Sequence, residues 1–116
     1  MLDWNTYESE VLGRVKELAG LSPDTVRGYA TLSAAGSKTN HLDAKTRELI
    51  SLAVAVTTRC DGCIVIHTHA AMDHGATKEE IAEALGVAVS MNAGAALVYS
   101  ARVLDAYDAK HAAVAK

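Results

Sequence analysis

Apolar positions recur at helical spacing along most of the chain. Between Thr6 and about Ala19, Tyr7, Val11, Val15 and Leu18 fall near a period of 3.6 with Glu and Lys opposite, which predicts an amphipathic helix ended by Gly20. Ser22 before Pro23 reads as an N-cap with proline at the first helical position, opening a second helix through about Ala35. The segment GSKTNHL, 36–42, reads as a polar loop, and Asp43 as the cap of a third helix from Ala44 to about Thr58. The second half of that helix, LISLAVAV, is apolar on every side and must be buried. A break at Thr57–Gly62 precedes a fourth helix from about Asp61 to His74, ended by Gly75. Thr77 and Glu80 have the spacing of a capping box, opening a fifth helix through about Met91. Asn92 and Gly94 are expected to interrupt the pattern, with a sixth helix from about Ala93 to Ala109 and a fraying tail after Asp108. The prediction is an all-α fold of about six helices in a single domain, 1–116.

Composition agrees with that reading. Half of the 116 residues are hydrophobic and 22% charged, aromatics make up 4% with no Phe, and about a fifth of the chain is Ala. Such a chain suits closely packed helices better than sheets. A net charge of −3 supplies no basic footprint for a phosphate backbone, so nucleic acid is not an expected partner. The N-terminus carries acids and no long apolar run, and the reading is cytoplasmic. Residues 84–101 are uncharged over a membrane-spanning length, yet they consist of Ala, Gly, Ser and Asn more than Leu, Ile and Phe. They are therefore read as buried between helices and not as a membrane span. Gly86, Ser90 and Gly94 recur every four residues, a stripe small enough for another helix to approach closely.

Two cysteines two residues apart, with no sign of secretion, point to redox chemistry or metal binding, since a structural staple closes a longer loop. Cys60 and Cys63 stand at the start of the fourth helix, where unpaired N–H groups and the helix dipole favour a thiolate. Their spacing sets the sulfurs one turn apart, close enough to bridge. His67, four residues after Cys63, shares their face and brings a base within reach of a thiol. His69 and His74 read as structural. If the third and fourth helices form an antiparallel hairpin turning near Arg59, the residue level with Glu48 is about residue 70. Glu48 then either orients His67 or is a surface acid beside Arg47.

These residues match a known pattern. Glu48, eleven residues, Cys60-Asp61-Gly62-Cys63, three residues and His67 resemble the Glu-x(11)-Cys-x(2)-Cys-x(3)-His signature of the alkyl hydroperoxidase D-like branch of the carboxymuconolactone decarboxylase family. The similarity covers about residues 40–108. The resemblance implies a central antiparallel hairpin carrying the dithiol and assembly into trimers or hexamers. It implies peroxide reduction in which Cys63 attacks, Cys60 resolves, and His67 and Glu48 relay the proton. No bound cofactor or metal is implied; the reductant is an external dithiol, a lipoyl-type or thioredoxin-like partner. The Asp61-Gly62 insert departs from the bulkier or more polar pairs of the family: Asp61 adds a charge opposing the thiolate, and Gly62 leaves access open. Two other readings use the same residues. One is a disulfide reductase or redox-sensing protein acting on something other than peroxide; the other is a zinc module built from Cys60, Cys63 and His67, with His74 as the candidate fourth ligand.

Overall fold

The computed structural model describes residues 1–115, and they are all helix and short connection. In chain order the helices are α1 (Trp4–Leu21), α2 (Pro23–Thr39), α3 (Ala44–Thr58), α4 (Asp61–Asp73) and α5 (Lys78–Ala115). Five helices thus replace the six expected.

Several ends form as their residues dictate. The Asp43 side chain accepts the Thr46 N–H at 2.8 Å, and Thr46 holds the Asp43 carboxyl below its ordinary range. Thr77 and Glu80 close the capping box, each side chain accepting the other's backbone N–H at 3.0 and 3.1 Å. Ser22 occupies the N-cap before Pro23 but makes no capping bond; its hydroxyl pairs with that of Thr25 at 2.7 Å.

Three expectations are corrected. Helix α2 runs to Thr39, through half of the segment read as loop, because Asn40 takes the left-handed conformation (φ 54°) and ends the helix there. Gly36 remains helical under the Arg47 side chain: a Cβ on Gly36 would sit 2.8 Å from Arg47 Cδ. Helix α5 is unbroken across Asn92 and Gly94 and continues to Ala115, beyond the expected fraying point. The Asn92 amide is satisfied within the fold, donating to the Ala88 carbonyl at 2.7 Å and the Thr57 hydroxyl at 3.0 Å. One helical glycine costs only about 1 kcal/mol, which the surrounding alanines absorb.

The core is small and central. Its buried residues are Leu52 and Ala55 on α3, Val65 and Ala71 on α4, and Ala88 on α5. Helices α3 and α4 form the antiparallel hairpin, with the left-handed Arg59 (φ 55°) closing α3. Helix α5 runs parallel to α3 in constant register: Lys45 Nζ meets Glu80 Oε2 at 2.8 Å, and Thr57 meets Asn92, each pair 35 residues apart. Helix α1 pairs with α2 and crosses α4. There Glu8 Oε2 lies 2.5 Å from His69 Nδ1, and Val11 lies against Gly62, so α1 covers the turn between the cysteines.

Beyond Ala95, every described residue of α5 is exposed. At 1.5 Å per residue its last 20 residues form an arm of about 30 Å, and the molecule is 62 Å long with a radius of gyration of 20.0 Å. A compact domain of this length would have a radius near 13 Å. The expected burial of 84–101 is therefore not met within one chain, where Ala88 alone is buried. The Gly86–Ser90–Gly94 stripe lies on the side of α5 away from α3, and nothing approaches Gly86 or Gly94. Among the described residues α5 is the one helix long and apolar enough to cross a membrane.

Candidate active site

Cys60 occupies the N-cap of α4 because the left-handed Arg59 turns the chain directly into the next helix. The Cys60 sulfur accepts the Cys63 N–H at 3.2 Å and is joined to Cys63 in a disulfide, with the Cα atoms 5.2 Å apart. Both cysteines are half-buried. In this position the Cys63 N–H points at the sulfur of Cys60, a contact that favours an anion on that sulfur.

One turn below Cys63, His67 Nδ1 lies 2.6 Å from Glu48 Oε2. The pair is mostly shielded, with side-chain exposures of 24% and 21%. Glu48 therefore belongs to His67 and not to the adjacent Arg47. The hydrogen bond fixes the imidazole's orientation: with Nδ1 held by the carboxylate, Nε2 is left for proton exchange. All four residues singled out by the sequence thus lie on the α3–α4 hairpin in two pairs one helical turn apart, Cys60 with Cys63 and His67 with Glu48.

The other histidines are elsewhere. His69 is taken up by Glu8, and His74 is the exposed C-cap of α4, three turns from Cys63. The set considered for zinc is accordingly not gathered, and among the described residues no group of three His, Cys, Asp or Glu side chains could hold a metal ion.

Sequence reasoning missed the contribution of α2. A cleft of about 370 Å³ opens beside the Glu48–His67 pair, walled by Tyr29, Leu32 and Ser33 of α2 and by Arg47 of α3. No motif marks these α2 positions. The available signal was an exposed Tyr and Leu three residues apart on a helix without an apolar core.

Fold and site together define an all-helical protein whose central hairpin carries a Cys-x-x-Cys pair next to a histidine–carboxylate couple. The chain belongs to the carboxymuconolactone decarboxylase family, whose sequence profile matches residues 23–106. It is 48% identical over 110 residues to an uncharacterized protein of Haemophilus influenzae, covering 95% of this chain and 97% of that one. It is 39% identical over 100 residues to uncharacterized protein 4 in the cox locus of Paracoccus denitrificans, covering 86% and 87%. The crystal structure of a carboxymuconolactone decarboxylase family protein from Legionella pneumophila, in its apo form, superposes with a TM-score of 0.72 at 34% identity. That match covers 90% of this chain and 94% of the other.

Proposed function

We propose that this protein is a thiol-dependent peroxidase of the alkyl hydroperoxidase D-like branch, cycling Cys60 and Cys63 between dithiol and disulfide. The observation that carries the reading is the Glu48–His67 hydrogen bond one turn from Cys63. A disulfide staple alone would need no such couple beside it. In the reduced protein the Cys63 thiolate attacks a peroxide oxygen; an S–O bond forms, the O–O bond breaks, and the departing alkoxide takes a proton from His67. Glu48 steadies the imidazole through this exchange. Cys60 then attacks the sulfenic sulfur, releasing water and forming the disulfide. An external dithiol, lipoyl-type or thioredoxin-like, supplies two electrons by attacking Cys63. Cys60 leaves as the thiolate that the end of α4 stabilises.

The bare arm of α5 supports a homo-oligomer, a trimer or hexamer, in which a second copy covers the apolar face that one chain leaves open. Substitution tests the chemistry. Cys63→Ser is expected to abolish dithiol-dependent peroxide consumption, and Cys60→Ser to leave a sulfenic acid that a dimedone-type reagent traps. Full turnover by Cys63→Ser would overturn the assignment of roles. Glu48→Gln is expected to slow alkylation of the reduced thiol several-fold while thermal unfolding stays cooperative; an unchanged rate across pH removes Glu48 from the relay.

A further inference from the structure

Around the Glu48–His67 pair, Arg47 is a cation that makes no direct ion pair, with the Asp43 carboxylate near enough only to feel its charge. Among the described residues no carboxylate stands within ion-pair distance of its guanidinium. Nη1 donates to Asn40 Oδ1 at 3.2 Å and to the Leu42 carbonyl, both neutral acceptors. The side chain is partly buried where it passes over Gly36, which leaves it room by lacking a Cβ. A cation fixed by two neutral bonds at the mouth of a cleft gains from an anion that pairs with it.

The cleft fits a small organic molecule. Its volume of about 370 Å³ is at the lower end of ligand pockets, and Tyr29 and Leu32 offer it an apolar wall. The helices also set a ruler. The cleft is lined by His67 and Glu48 but not by Cys63, which lies one turn up α4 from His67, and the Arg47 side chain leans the opposite way, toward the start of α3. These offsets separate guanidinium and thiol by about 10–15 Å.

We propose that the cleft selects an organic hydroperoxide that carries a carboxylate. Arg47 receives the carboxylate, Tyr29 and Leu32 flank a medium-length acyl chain, and the peroxide reaches Cys63. The inference rests on the peroxidase reading and adds its substrate class. The chemical step is unchanged: the Cys63–O bond forms, the O–O bond breaks, and the alkoxide leaves with the His67 proton as a hydroxy acid. The external dithiol restores both electrons.

The test is a steady-state comparison of a mid-chain linoleic acid hydroperoxide with its methyl ester, and with cumene hydroperoxide as an uncharged reference. Dithiothreitol serves as reductant because it carries no carboxylate. The acid is expected to exceed the ester in kcat/KM about tenfold, chiefly through KM, as one charge-assisted contact allows. Arg47→Gln is expected to bring the acid-to-ester ratio near one. Should Arg47→Gln fail to fold, Leu32→Asp, at an exposed position, sets a carboxylate into the cleft and lowers the same ratio by repulsion. A ratio near one in the wild type, or one that neither variant moves, overturns the substrate assignment while turnover of cumene hydroperoxide leaves the peroxidase reading standing. Failure to consume any of the three overturns both.

Discussion

The α3–α4 hairpin and the distal half of α5 are made of similar residues and meet opposite fates. Both are rich in Ala, Val and Leu. In the hairpin Leu52, Ala55, Val65 and Ala71 are buried, although Ile50 and Val54 on the other side of α3 stay open, so the burial expected of LISLAVAV on every side is met on one side only; on the arm Leu97, Val98, Val103 and Leu104 all stand open to solvent. The hairpin folds back on itself and then receives α5 in register; the arm outruns α3 and finds nothing. Burial therefore follows the supply of a partner surface and not hydrophobicity alone. The dithiol, His67 and Glu48 are all on the buried element, where packing can fix their geometry.

The sharpest way to break the contrast is a matched pair of truncations. Leu52→Ala, at a residue 3% exposed, is expected to lose about 2–4 kcal/mol in denaturant unfolding. Leu104→Ala, 70% exposed in one chain, is expected to lose less than about 0.5 kcal/mol if the arm stays bare. A loss at Leu104 comparable to that at Leu52, growing with protein concentration, would show the arm buried in an assembly.

Leu104→Asp addresses that assembly directly. If copies associate through the arm, light scattering is expected to show a fall from the wild-type mass toward 12.2 kDa, with the helical spectrum kept. An unchanged mass would place the interface elsewhere.

Smaller effects are expected where the N-terminal hairpin meets the core. Gly36→Ala adds helix propensity of about 1 kcal/mol but drives a Cβ into Arg47, at 2.8 Å from Cδ. The expected net change in stability is under about 1 kcal/mol, accompanied by displacement of the guanidinium and a fall in the acid-to-ester ratio. A preserved ratio would mean that Arg47 adjusts without leaving the cleft.

The last effect is electrostatic. The Lys45 ammonium, followed by the Thr77 N–H, holds the Glu80 carboxyl below its ordinary 4.5, and Glu80 holds Lys45 above its ordinary 10.5. Glu80 therefore stabilises the fold above the usual carboxylate range, and this is lost as pH falls through its lowered value. The Lys45 contribution is present below its usual range and is lost as pH rises through its raised value. Glu80→Gln is expected to flatten the acid side of the stability profile slightly; a profile identical to wild type would show the ion pair to be too screened to matter.

Much of this was legible in one dimension. Asp43, Thr77 with Glu80, and Gly75 mark helix ends because capping is a short-range matter of which side chain reaches which N–H. Cys60, Cys63 and His67 share a face because 3.6 residues make a turn. Asn92 and Gly94 misled because the cost they suggest is local, while the bonds that remove it come from Thr57 and the Ala88 carbonyl. The α2 residues at the cleft were invisible, since only the packing of α1 on α4 carries α2, which rests on α1, to the far wall of the cleft from His67.

The sequence by itself determined the all-helical class, several helix caps, the dithiol and the base on its face, all of them contacts within a turn or two of one chain segment. Tertiary structure alone decided that Arg47 is left without an ion pair beside a cleft and that half of α5 stands clear of the core. Those outcomes depend on how helix axes lie against one another, where a shift of one turn exchanges every partner, and no spacing along the chain records that shift.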